Sequence, residues 1–595
     1  MRDASLASFD RAHASDAARD ERTCPSKSAS SESMAARRDG IARGRAAAKA
    51  LLVLLLTACL LAPFSNKAFH TDDPLFVWSG RSLAADPWHP YRGAVNWFGR
   101  TQPFLEAMWN PPGLPAAIAA AKTLGVESEI GLHLLMLVPA LGAVAFVIAW
   151  MARSGAREPA LAALLFAASP MFLVSATNVL PDLTTTASIV AALFLWTRGI
   201  DRGDRAALFA ASLCCAVAML SKYFGASILP FLAAYAIAKR ASWRTWFLPL
   251  ALSAVPLGAY EIGMWIETGA PALVTGARTL GGRGSVARSE VLVARIASMV
   301  AFLGAACLPM CGIAARSAAW NAKSLLAWIV AAAVISLVLA RRKEGGSDSP
   351  TIVVIELALF TLNGGLVIGC LVARWRSPIT PIDRWLLAWI AWECVYAAAF
   401  NWSVMGRGFL TAAALTSVLL ATNSRELVFS TAIGRALAVA LPVVGSLVTG
   451  TSLNAADQEI ARSAKLAVEE AVAPFRKIGE RVWFQGHWGF QFYAEEQGAI
   501  PMEVAKVGEA AEAVDAGATR VERGEIVVIP LLNTNVPGVP KNDYEVLEVR
   551  RYPILSPSTT LGPKSGAAFY STNLDLLPFG VNLGDQAEYW ILRHH

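Results

Sequence analysis

Residues 48–64 read AKALLVLLLTACLLAPF, and residues 65–76 directly after them read SNKAFHTDDPLF. The first stretch is almost wholly apolar, with Lys49 at its leading edge. A helix of about 20 apolar residues crosses a hydrocarbon core of about 30 Å, so this run reads as a first membrane span. Arg37, Arg38, Arg43, Arg45 and Lys49 gather on its N-terminal side, which places that side in the cytoplasm. The second stretch then emerges on the external face, and it carries two adjacent carboxylates, Asp72 and Asp73.

The rest of the chain agrees with a polytopic membrane protein. Of 595 residues, 55% are hydrophobic and only 16% are charged, against about 45–50% and roughly 25% in soluble proteins. That excludes a disordered chain, a disulfide scaffold and an ordinary cytosolic enzyme. The formal charge of +7 fits Lys- and Arg-rich inner loops rather than nucleic acid, which is not an expected partner. All eight cysteines except Cys24 lie in apolar stretches, where a thiol packs as a small hydrophobe. They outline neither a disulfide framework nor a zinc site.

Further apolar runs follow at about 131–151, 159–175, 182–197, 206–221, 224–238, 245–265, 292–314, 323–340, 351–373, 384–400, 406–422 and 431–450. The reading is mainly α, a membrane helix bundle of about 13 spans. Inner-side arginines and lysines at 153, 157, 198, 202, 205, 239, 240, 244, 374, 376, 384, 425 and 435 agree with that count, whereas Arg341-Arg342-Lys343 would fall outside. Three regions result. Residues 1–46 read as a disordered cytoplasmic tail. Residues 47–452 form the membrane domain, with a long first external loop at 65–129. Residues 453–595 read as a small external α/β domain, with strand-like EIVVIP at 525–530 and YEVLEV at 544–549 and turn signals at 536–538 and 561–563. In the first loop, short helices are expected at Asp73-Pro74 and from Pro112 to Leu124, the latter apolar enough to lie along a membrane surface.

Four positions could carry chemistry, all near the external interface. Asp73 before Pro74 suits a helix N-cap, which leaves Asp72 unexplained and available as a general base. Asp182 follows Pro181 in a short external turn, where capping is the plainer role. Lys222 stands between two apolar runs almost without a loop; it could snorkel, or meet a lipid phosphate as a compact charge. Arg407 begins an external helix end, against the usual bias. Together, two acids and two bases on one side suit a phosphate leaving group and an activated hydroxyl. His70 and His89 offer ligands for a divalent ion but show no ligand spacing, and no cofactor is defined. Trp78, Trp88, Trp97 and Trp109 suit interface anchoring or stacking on sugar rings.

These motifs, in order, carry a resemblance: Asp72-Asp73, PWHPY at 87–91, NPPG at 110–113, LGVESE at 124–129, LPD at 180–182 and LSKY at 220–223. The sequence resembles GT-C glycosyltransferases of the bacterial protein-mannosyltransferase and aminoarabinose-transferase type, in detail over about residues 50–240. The resemblance implies a multispanning inner-membrane enzyme with its C-terminal domain outside. It implies transfer of a sugar from a polyprenyl-phosphate donor to an external protein, lipid or glycan acceptor, with inversion. The family's base falls on Asp72, its partner acid on Asp73, its second acidic residue on Asp182 and its phosphate-contacting lysine on Lys222. Its late arginine falls on Arg407, where Gly408 replaces a tyrosine. His70, His89, Tyr91 and Asn110 become loop contacts, and Asn110 stands where aminoarabinose transferases have a basic residue. The competing reading is a secondary transporter or lipid flippase built on Glu393, a carboxylate deep in the run 384–400. A non-catalytic assembly protein presenting 453–595 is a third.

Overall fold

The computed structural model describes every residue except 1–25, 155, 157, 282–288, 317–319, 344–350, 377–379, 423–430, 504–520 and 535. Part of the expected tail, Arg157 and Arg425 therefore lie outside the described residues. The chain forms two units, Met1–Lys49 and Ala50–His595. In the first, the helix Ser26–Leu61 begins within the expected tail. Alanine and arginine there are strong helix formers. The second unit holds the rest of the bundle, the first loop and the C-terminal sheet.

All the expected apolar runs are helical, but seven described helices are long and apolar enough to cross a membrane unbroken. They are Gly44–Phe64, Glu129–Arg153, Pro181–Arg202, Trp243–Thr268, Ala322–Arg341, Thr351–Arg376 and Ala436–Lys477. Thirteen unbroken spans are not found, because the other runs are short or interrupted. Val291–Ala306 and Leu308–Ala315 meet at a 70° bend, with Pro309 at the break. Pro159–Ala167 and Pro170–Ser175 are divided before Pro170, where the preceding residue is forced out of the helical region. Arg205–Ser221, Tyr223–Ala238 and Gly406–Thr422 are shorter apolar helices. Pro381–Val395 passes into a π-helical turn at Tyr396–Phe400.

Small residues let the helices meet closely. A Cβ on Gly364 would lie 1.9 Å from the Val300 carbonyl oxygen, and one on Gly304 would lie 2.0 Å from that of Phe360. Such contacts bring backbones together without bulky side chains between them.

The first loop folds as the sequence suggests, with helices Asp73–Ala85 and Gly113–Thr123 and a two-stranded ribbon, Ala94–Asn96 with Thr101–Pro103. The expected boundary at 453 falls inside a helix. The helix Ala432–Ala471 runs straight through it, since residues 451–471 contain neither Gly nor Pro. Beyond lies a five-stranded mixed sheet, in spatial order Ile500–Pro501, Val482–Phe484, Ile526–Pro530, Gln586–His594 and Tyr544–Pro553. The helix Trp488–Glu496 joins the first parallel pair. Along Ile526–Pro530 the side chains alternate. Ile526 and Val528 join the main core, while Val527 and Ile529 pack with Trp483 and Leu592 on the other face.

Candidate active site

Asp72 owes its direction to its neighbours. The helix starts at Asp73 with Asp72 at the cap position, one residue earlier than expected, and the Asp72 side chain makes no capping hydrogen bond. Asp73 is instead fully buried. Its Oδ2 accepts from the His70 N–H at 2.9 Å and its Oδ1 from the Val179 N–H at 2.8 Å. Asp73 thus ties the first loop to the turn before Pro181–Arg202. Burial raises its pKa to about 6, with nearby Lys67 pulling it back. Thr71, just before the pair, has a φ of 43° although it is β-branched, a conformation that stores strain. This kink sends Asp72 the opposite way from Asp73.

Asp72 meets Arg407, with Oδ2 3.0 Å from Nη2. Arg407 sits on the short 3-10 turn Gly406–Phe409. Its Nε lies 3.7 Å from Asp182 Oδ2, and Asp182 Oδ1 lies 2.6 Å from Lys222 Nζ. Lys222 is held in extended conformation between the helix Arg205–Ser221 and the turn Tyr223–Ser227. The four charged positions singled out from sequence therefore form one chain, Lys222–Asp182–Arg407–Asp72. Asp182 and Arg407 are buried, while Asp72 and Lys222 reach solvent. The four line a cavity of about 1260 Å³, together with Asn110, Trp97 and Trp109. Arg407 Nη1 is buried without a protein partner.

Sequence reasoning missed a second cluster, behind the first. Lys67 is completely buried; its Nζ is 2.8 Å from Asn178 Oδ1 and 3.4 Å from Asp457 Oδ2. Asp457 also accepts hydrogen bonds from Thr560 and Tyr570, and His70 Nε2 lies 3.6 Å away. The Tyr570 ring then covers the Arg407 guanidinium at 5.9 Å. Burial and the Asp457 carboxylate push the Tyr570 hydroxyl well above its ordinary pKa, so it remains a donor. The Gly406 N–H donates to the Phe569 carbonyl at 2.9 Å. Residues from 453–595 thus hold Arg407 from behind, and that region is part of the site rather than a separate appendage.

The remaining loop candidates divide. His70 is buried against Asp457, whereas His89 pairs at 2.8 Å with Asp86 and is 43% exposed, so the two histidines share no site. Among the described residues no three His, Cys, Asp or Glu side chains converge as a metal site. Tyr91 is buried and donates to the Asn110 carbonyl, bracing a residue of the cavity wall. Trp88 is 85% exposed, while Trp97 is buried and stacks on His487 at 5.4 Å. Burial lowers the pKa of His487 to about 4, keeping that ring neutral. Glu393, the residue of the transporter reading, lines the same cavity.

A polytopic membrane helix bundle with a charged cavity is the class of protein that fold and site define. Residues 110–260 match the family described as dolichyl-phosphate-mannose-protein mannosyltransferase. That segment holds Asn110, Asp182 and Lys222, and the glycosyltransferase resemblance of its motifs is shown there. The structure is similar to ArnT from Cupriavidus metallidurans bound to undecaprenyl phosphate, at 14% identity over 81% of this chain and 93% of that one, with a TM-score of 0.41. It is also similar to the Archaeoglobus fulgidus oligosaccharyltransferase in its apo form, at 13% identity over 76% of this chain and 64% of that one, with a TM-score of 0.44. No curated relative matches the chain.

Proposed function

We propose that this chain is an integral-membrane glycosyltransferase that moves a sugar from a polyprenyl-phosphate donor to an acceptor hydroxyl on the external face of a bacterial inner membrane, with inversion. The observation that carries the reading is the unbroken chain Lys222–Asp182–Arg407–Asp72 along one cavity wall. Arg407, with Nη1 unpartnered, and Lys222 at the rim supply positive charge for the donor phosphate. A phosphate entering there competes with Asp72 for the guanidinium. The freed carboxylate then accepts the proton of the acceptor hydroxyl. The acceptor oxygen bonds to the anomeric carbon as the bond from that carbon to the phosphate oxygen breaks. The lipid phosphate departs with the electron pair, its charge met by Arg407 and Lys222. Asp182 holds these two cations in register, and Asp73 orients the loop that carries the base.

The test uses the full chain in detergent with a labelled polyprenyl-phosphate sugar and candidate acceptors. Transfer is expected in the wild type and nearly lost in Asp72→Asn at equal expression. Equal rates in the two proteins would sink the role given to Asp72.

A further inference from the structure

Glu393 faces the cavity but has no part in the reaction as written above. It lies on Pro381–Val395, shortly before the π-helical turn Tyr396–Phe400. It is 2% exposed, and its Oε2 has no protein partner. The Ala412 backbone N–H, the Trp389 side chain and the Thr411 backbone N–H lie near the carboxyl group. Thr185, Thr186 and Thr411 line the cavity beside it, and the hydroxyl oxygens of Thr186 and Thr411 are 3.4 Å apart. Phe224 and Tyr396 also line the cavity.

The sequence positions give the spacing. Thr185 and Thr186 follow Asp182 by three and four residues, and Thr411 follows Arg407 by four. This polar patch therefore sits about one helical turn, roughly 5 Å, from the ion chain. A buried carboxylate oxygen without a donor is costly. Its ligand must therefore bring a hydrogen-bond donor. A polyprenyl chain has none, and the phosphate is taken up by Arg407 and Lys222. The third part of the donor is its sugar, and the cavity that the ion chain lines also holds Glu393.

Resting on the glycosyltransferase reading, we propose that Glu393 reads the transferred sugar. It accepts a hydrogen bond from a group on the ring edge remote from the anomeric carbon, while the phosphate stays at Arg407 and Lys222. The donor class is then a sugar with a free hydroxyl or amino group on that edge. The carboxylate assigned by the competing reading to transport becomes a specificity residue of the transferase.

The test compares binding of bare undecaprenyl phosphate with binding of the same lipid carrying a neutral hexose or an amino sugar. The full chain is used in detergent. Glu393→Ala is expected to weaken the sugar-bearing lipids about tenfold or more and leave bare lipid phosphate unchanged. Glu393→Gln keeps an acceptor oxygen; it should bind a hydroxyl-bearing sugar nearly as wild type and an amino sugar much more weakly. Equal loss on bare and sugar-bearing lipids would show a structural role and overturn the inference. So would unchanged binding of every lipid by Glu393→Ala. Failure of the wild type to bind any of these lipids would overturn the donor reading itself, and this inference with it.

Discussion

Replacing Arg407 with methionine keeps the aliphatic stem and removes the charge. Two carboxylates then lose a counterion, Asp72 at 3.0 Å and Asp182 at 3.7 Å. At an effective dielectric constant of about 20 these contacts amount to roughly 5.5 and 4.5 kcal/mol before desolvation. Truncating one partner of a buried pair costs about 3–5 kcal/mol net. Here Asp72 is 32% exposed, so water screens it, and Asp182 keeps Lys222 at 2.6 Å. The expected loss of stability is therefore about 2–3 kcal/mol, carried mostly by Asp182. Removing a charge that stabilises the leaving phosphate should slow transfer about 10²–10³-fold. Thermal unfolding in detergent and initial transfer rates measure the two effects. Adding Asp182→Asn to Arg407→Met removes the stranded carboxylate, so the double variant should recover stability without recovering activity. A single variant as stable and as fast as wild type would refute the reasoning, and so would recovery of both properties together.

Two more outcomes are expected from the structure. The raised pKa of Asp73, about 6 against an ordinary 3.8, means that the folded state holds this proton more tightly than the unfolded chain. The stability it contributes is complete below pH of about 3.8 and is lost as pH rises through about 6, on the order of 3 kcal/mol. In unfolding scans, the advantage of wild type over Asp73→Asn should therefore shrink from pH 4 to pH 7; an advantage that grows with pH contradicts the assignment. Gly489→Ala would bring a Cβ to 2.0 Å from the Phe69 carbonyl oxygen, three residues before Asp72. Cooperative unfolding should persist while transfer falls at least tenfold, and a wild-type rate would show that this contact does not position the base.

The legible parts of the molecule were those where a local rule suffices. Apolar runs announce helices, and Asp73-Pro74 and Pro112 announce helix starts in the loop. Each charged residue of the site was visible because a charge beside an apolar run needs a reason. Their meeting was not, since residues 72, 182, 222 and 407 are joined only by tertiary packing. Lys67, Asp457 and Tyr570 gave no signal. Lys67 resembles an interface lysine, and Asp457 stands in polar sequence where an aspartate normally faces water. Only the fold shows that both are fully buried and paired. The composition change near 453 carries no sign of the helix of good formers that takes the chain through it without a turn.

The ion chain constrains topology. Lys222 and Arg407 both touch Asp182, so the chain between them must cross the membrane an even number of times. Six helical segments lie between: Tyr223–Ala238, Trp243–Thr268, the bent pair Val291–Ala306 and Leu308–Ala315, Ala322–Arg341, Thr351–Arg376 and Pro381–Val395 with its π-helical turn. If the bent pair alone turned back as a re-entrant loop, five crossings would remain, and Arg407 could not reach Asp182. Six crossings satisfy the parity; we propose that arrangement, which would bring Arg341, Arg342 and Lys343 out on the same face as Asp72. That outcome opposes the usual inside preference of positive charge, which is a statistical bias and yields to packing. A cysteine at position 341, in a chain otherwise free of cysteine, should react with a membrane-impermeant maleimide added outside intact cells, while one at 376 should not. Labelling of 341 only after permeabilisation would mean that the bent pair and a second segment both fail to cross, and it would refute the thirteen-crossing arrangement.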